Sequence, residues 1–190
     1  MRHILIIGAG RSASSLIEYL LNKSEEENLH LTIGDLSQEL AERKTNGHPR
    51  ATAIAFDIFN EAQRQAEIDK ADIVISMLPA HLHYEVAKDC ITFKKNMVTA
   101  SYISPAMELL DAEVKANDLI FMNEVGLDPG LDHMSAMKVL DEIREMGGKI
   151  TLFESFCGGL VAPESDNNLW NYKFTWNPRN VVLAGQGGTA

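Results

Sequence analysis

The chain has 190 residues, 45% of them hydrophobic, enough for one full domain or for one domain and the beginning of a second. Lys and Arg number 17 against 27 Asp and Glu, and a formal charge of −10 argues against a nucleic-acid or anionic-membrane partner. Two cysteines, Cys90 and Cys157, stand far apart without a CxxC pair, which points to a reducing compartment and to no disulfide framework or zinc knuckle.

At the N-terminus a charge precedes the apolar run Ile4–Ile7, but Gly8 ends that run after four residues. A signal peptide needs a longer apolar core, so the run reads as a strand buried on both faces, and a cytoplasmic location is expected. A helix over Arg11–Lys23 follows, with Leu16 and Leu20 down one side and Ile17 and Leu21 beside them. Leu29–Ile33 gives a second strand ending at Gly34-Asp35, and Ser37–Lys44 a short helix that breaks at Asn46-Gly47-His48-Pro49. Thr52–Phe56 and Asp72–Met77 read as the third and fourth strands, the latter cut off by Pro79. A helix over Leu82–Phe93, a strand over Asn96–Ala100, a helix over Pro105–Lys115 with proline in its first turn, and a strand over Leu119–Met122 complete the series. Short strands alternating with helices specify right-handed crossovers and a parallel sheet. The expected fold is therefore α/β, a Rossmann-type domain over residues 1–128. Beyond it come a helix over Leu131–Met146 closing at Gly147-Gly148, a strand over Lys149–Phe156 and a last strand over Val181–Ala184. Residues 129–190 are expected to begin an α+β domain for substrate binding and dimerisation that the chain does not complete.

Between the first strand and the first helix, Gly8-Ala9-Gly10-Arg11-Ser12-Ala13 matches GxGxxG/A in the context the motif requires. Gly8 permits the tight turn, Gly10 lets backbone approach a pyrophosphate, and Ala13 lets the helix sit close on the strand. The phosphates are expected on the N–H groups of the helix start. Asp35 ends the second strand 27 positions after Gly8. The usual spacing is roughly 20, and the charged insertion Lys23–Asn28 accounts for the surplus. A carboxylate there accepts from both ribose hydroxyls and repels a 2′-phosphate, so NAD is expected over NADP by roughly tenfold or more. Asp57-Ile58, after the third strand, is a candidate adenine edge, and Leu78-Pro79, after the fourth, a candidate neighbour of the pyrophosphate and nicotinamide ribose.

Two other patterns carry less. Tyr84 and Lys88 spell Tyr-x-x-x-Lys, but on a helix too early for the dehydrogenases that use that pair. His81 and His83 stand two apart, a spacing that does not face one ion on a helix, so both read as surface histidines and no metal site is expected. On local pattern alone, Asp128 is a turn former and Cys157 a buried thiol.

Longer motifs add a resemblance. Ser101-Tyr102-Ile103-Ser104-Pro105, then Met122-Asn123-Glu124-Val125-Gly126-Leu127-Asp128-Pro129-Gly130-Leu131-Asp132-His133, then Ser155-x-Cys157-Gly158-Gly159-Leu160-x-Ala162-Pro163-Glu164 and Tyr172-Lys173-Phe174-x-Trp176, resemble the saccharopine reductase family, also called L-glutamate-forming saccharopine dehydrogenases. The resemblance covers nearly the whole chain. It implies a two-domain, usually dimeric enzyme of lysine metabolism that interconverts saccharopine with glutamate and aminoadipate semialdehyde through an imine, using a nicotinamide cofactor and a small amino-acid substrate. By position it places Ser101, Tyr102, Asp128, Cys157, Gly158, Leu160 and Phe174 around the substrate, with Asp128, Cys157 and Tyr102 as the catalytic candidates.

The chain departs from the family pattern at Val161, where proline is usual, and at Asp35, where members using NADP carry a basic pattern. The family chain is also more than twice as long. An arginine expected to grip a substrate carboxylate falls outside these 190 residues, and neither Lys173 nor Arg179 takes its place. This chain alone is expected to bind cofactor and to turn over poorly or not at all. Two rival readings remain open: a carboxynorspermidine-type imine reductase, and a non-catalytic NAD-binding module.

Overall fold

The computed structural model describes residues 1–155 and 161–173. Its first strand, β1 (Arg2–Ile7), is buried on both faces: Ile4 and Ile6 enter one core cluster, and Leu5 and Ile7 another. That is the period-two alternation of a central strand with a helical layer on each side.

β2 (Leu29–Asp35) and β4 (Ile73–Ser76) flank β1 in parallel, Ile4 facing Leu31 on one side and Ile73 on the other. β3 (Ala51–Ala55), β5 (Asn96–Thr99) and the two-residue β6 (Phe121–Met122) complete one parallel sheet of order β3-β2-β1-β4-β5-β6. This is the doubly wound order, in which the direction of winding reverses between β1 and β4 and ligands are received at the carboxyl ends of the strands.

The helices divide between the faces according to their apolar stripes. α1 (Ser14–Lys23) and α2 (Gln38–Thr45) bring Ile17, Leu21 and Ala41 to the cluster that holds Ile4 and Ile6. α3 (Glu61–Lys70) and α4 (His83–Thr92) bring Ile68, Val86, Ala87, Cys90 and Ile91 to the other. Side-chain caps define several starts: Ser37 Oγ accepts from Leu40 N (3.3 Å), and Asn60 Oδ1 from Gln63 N (3.1 Å).

The first six expected strands form with bounds within two residues of those expected. Other elements differ from the sequence reading. α3 has no counterpart in the sequence pattern. The helix expected over Arg11–Lys23 begins as a 3-10 turn, Arg11–Ala13, and the one expected over Leu82–Phe93 is preceded by another, Ala80–Leu82. The helix expected over Pro105–Lys115 divides at Leu109-Leu110 into α5 (Pro105–Glu108) and α6 (Asp111–Ala116); Met107 and Leu110 are buried, while Leu109 is exposed. α7 (Leu131–Glu145) forms as expected. Residues 149–155 are not a strand; they have the apolar composition of one but pair with no strand among the described residues. Val181–Ala184 lies outside the described residues. By contacts the chain divides into two compact units, Met1–Glu142 and Ile143–Ala190. No helix of the described residues is long and apolar enough to cross a membrane.

A buried ion pair ties α3 to α4. Arg64 and Asp89 side chains are each 8% exposed, and Arg64 Nη1 also donates to the Ile58 carbonyl at 2.6 Å. Removing one partner leaves a buried charge uncompensated. Asp89→Ala is therefore expected to cost about 3–5 kcal/mol in urea denaturation, and the double substitution Arg64→Met with Asp89→Leu distinctly less. Equal losses in the two proteins would contradict this role.

Candidate functional site

The chain leaves β1 through Gly8, whose φ of +106° favours glycine. A Cβ there would stand 2.8 Å from the Met77 carbonyl oxygen, while the Gly8 N–H donates to Gly34 O at 2.7 Å. The turn thus packs directly against the ends of β4 and β2. Gly10 is different. Its φ of −63° suits any residue, and a Cβ would meet nothing within 4 Å. The protein itself gives no packing reason for glycine here, which fits a backbone kept bare for a ligand. Arg11 and Ser12 follow on the surface, and Ala13 is fully buried beneath the first turn. The N–H groups heading such a turn have no partner within the helix.

Asp35 reaches across from β2: its Oδ2 accepts from Ala9 N at 2.8 Å and its Oδ1 from Ser37 N at 3.0 Å. A carboxylate has about four acceptor positions, so each oxygen keeps capacity for a hydroxyl donor. The glycine turn and the carboxylate form one connected edge, and these residues fit an adenosine ribose and a pyrophosphate side by side. Asp57 forms a turn at the end of β3, accepting from Phe59 N at 2.9 Å, while the Ile58 side chain is 4% exposed and belongs to the core. Leu78 packs against the core cluster, and Pro79 precedes the 3-10 turn.

Beyond β5, Ser101 is half-buried and Tyr102 exposed. Glu124 holds this loop from both ends: its N–H donates to Ser101 O at 3.0 Å, and its Oε1 accepts from Ile103 N at 3.0 Å. Two residues on, at Gly126, a Cβ would stand 3.2 Å from the Ala100 Cβ, so the turn bearing Asp128 begins against the residue that follows β5. Asp128 itself is exposed, in a cis peptide bond to Pro129. The structure thus brings Ser101, Glu124 and the start of the Asp128 turn together at the carboxyl edge of the sheet. Cys157, Gly158, Leu160 and Phe174 lie outside the described residues.

His83 corrects the sequence reading. It is not a surface histidine: it is 3% exposed, with Nδ1 2.8 Å from Ser76 Oγ and Nε2 2.7 Å from Ser101 Oγ and 3.2 Å from Thr99 Oγ1. Burial first, and the neighbouring His81 second, push its pKa down to about 4. The sequence signal is faint, since the three partner hydroxyls lie outside the His83 helix, at the end of β4 and at and just beyond the end of β5. His81 is exposed, as expected. Lys88 lies 5.0 Å from the centroid of the Tyr84 ring and pairs with Glu85 at 2.9 Å, a surface arrangement rather than a catalytic one. Burial pushes the Cys90 thiol up and keeps it protonated. Among the described residues no cluster of three or more His, Cys, Asp or Glu could hold a metal ion.

Residues 126–190 match the family model of the saccharopine dehydrogenase C-terminal domain, and residues 4–122 that of the saccharopine dehydrogenase NADP binding domain. Saccharopine dehydrogenase (NADP(+), L-glutamate-forming) of Schizosaccharomyces pombe is 43% identical over 97% of this chain and 40% of its own length. The mitochondrial alpha-aminoadipic semialdehyde synthase of Mus musculus is 40% identical over 96% of this chain and 19% of its own. The apo structure of saccharopine dehydrogenase (L-Glu forming) from Saccharomyces cerevisiae aligns with a TM-score of 0.84 at 36% identity, covering 97% of this chain and 40% of that one. The chain therefore spans 40% and 19% of the length of these two curated relatives.

The two glycines separate stability from binding. Gly8→Ala is expected to lower stability by about 2 kcal/mol or more, from left-handed strain and the collision with Met77. Gly10→Ala is expected to leave the Tm unchanged and to weaken dinucleotide binding by about tenfold. Wild-type affinity in Gly10→Ala would contradict the placement of the phosphates.

His83 should also mark the acid limb of stability. The unfolded imidazole takes its proton near pH 6.5 and the folded one near 4. Between these the folded state binds fewer protons, so this contribution is complete above about pH 6.5 and fades as pH falls toward 4, by about 3 kcal/mol in all. The stability gap between wild type and His83→Asn, from urea denaturation, should narrow over that window. A constant gap would contradict a neutral buried ring.

Proposed function

The chain belongs to the saccharopine dehydrogenase family, and from that premise we propose that it forms the dinucleotide-binding part and the first substrate-facing loops of an enzyme interconverting saccharopine with L-glutamate and 2-aminoadipate 6-semialdehyde. The observation that carries this reading is the meeting, on one sheet edge, of the Gly8–Ala13 turn, the Asp35 carboxylate bonded to it, and the Ser101 loop held by Glu124. A nicotinamide bound there supplies the hydride acceptor or donor. The residues of this chain supply its seat: backbone N–H groups for the pyrophosphate, Asp35 for the adenosine ribose, and the ends of β4 and β5 as the wall facing the substrate.

Asp128, Tyr102 and Cys157 are the polar groups we assign to the reacting carbon, with Ser101, Gly158, Leu160 and Phe174 as substrate contacts. We place the start of the substrate domain at residue 129, and homodimerisation and a cytoplasmic location belong to the same proposal for the full-length protein.

On the cofactor, the relatives and this sequence pull in different directions. The family model is an NADP-binding domain, and the S. pombe relative carries NADP(+) in its name. This chain carries a carboxylate at the tip of β2, where a 2′-phosphate would bring about −1.5 to −2 of further negative charge. We propose NAD, because charge at contact distance outweighs the habit of relatives.

Calorimetric titration of the chain with NAD and NADP tests this directly. NAD is expected to bind about tenfold tighter, and Asp35→Ala to erase the difference. Tighter binding of NADP, or an unchanged preference in Asp35→Ala, would overturn the assignment.

A further inference from the structure

His83 heads α4 yet works between strands. Its Nδ1 meets the hydroxyl of Ser76, the last residue of β4, at 2.8 Å. Its Nε2 meets Thr99, the last residue of β5, at 3.2 Å, and Ser101 just beyond at 2.7 Å. A neutral imidazole has one N–H and one bare nitrogen. One serine must therefore accept from the ring while the other donates to it, so Ser76 and Ser101 cannot turn independently.

Both ends of this tie lead into the site. Ser76 is followed by Met77, whose N–H donates to Ile7 O at 2.8 Å and whose carbonyl packs on Gly8. Ser101 is followed by Tyr102, and its own N–H donates to Thr99 Oγ1 at 3.3 Å. β4 and β5 lie on the side of the switch point opposite the Asp35 ribose site, the side that receives the second nucleotide of a dinucleotide.

We propose that His83 is a positioning residue, fixing the ends of β4 and β5 against the nicotinamide half of the dinucleotide through Ser76 and Ser101. This rests on the dinucleotide reading above and assigns His83 no chemical step. A histidine that merely fills the core would set stability alone and would treat both halves of the cofactor alike.

The test compares NAD with ADP-ribose, which keeps the adenosine and pyrophosphate but lacks nicotinamide. His83→Asn keeps an amide at the Nδ1 end of the ring and abandons Ser101. Ser101→Ala cuts the same tie while leaving the ring in place. Each variant is expected to bind NAD about fivefold more weakly while binding ADP-ribose as the wild type does. If His83→Asn does not fold, the Ser101→Ala comparison decides by the same split. Unchanged NAD binding, or an equal loss for both ligands, would overturn the proposal. Failure of the wild type to bind either ligand would overturn the dinucleotide reading, and this inference with it.

Discussion

At Gly8 the Met77 carbonyl oxygen stands 2.8 Å from where a side chain would begin, and the Gly8 N–H is taken by Gly34. Three strand ends, those of β1, β2 and β4, therefore converge on one residue without a side chain. The rest of the carboxyl edge follows from that approach. It brings Ala9 N within 2.8 Å of Asp35 and aims the first helical turn across the gap where the sheet reverses its winding. A bulkier residue would move the turn off β4 and separate the phosphate-facing backbone from the ribose-facing carboxylate.

On the other side of the switch point the edge is held by polar ties. His83 joins β4 to β5 through three hydroxyls, and Glu124 joins β6's following loop to the residues after β5. The His83 bonds are buried or partly buried, where a lost partner costs more than the bond contributes. The apolar clusters beneath explain why the sheet forms. The polar ties explain why its edge has one arrangement in place of several.

The sequence was most readable where local pattern and tertiary role coincide. Ile4–Ile7 is apolar on both faces because β1 is central, and the glycine fingerprint is visible because its turn is local. α3 is hidden in the sequence because one of its two buried positions is Arg64, whose charge masks the apolar period and is compensated by Asp89 from another helix. The break at Leu109-Leu110 and the failure of residues 149–155 to become a strand depend on which neighbours are present to pack or pair. His83 is the sharpest case: its own helix says surface, and only the assembled sheet ends make it a buried, satisfied ring.

The carboxyl edge at the β1–β4 switch is the proposed seat of the dinucleotide. Amide chemical-shift mapping by NMR, on the isotope-labelled chain titrated with NAD, tests it most directly. The largest shifts should fall on Gly8–Ala13, Asp35–Ser37, Ser76–Leu78 and Ser101. Shifts concentrated instead at the opposite edge, around His30 and Arg50, would contradict it.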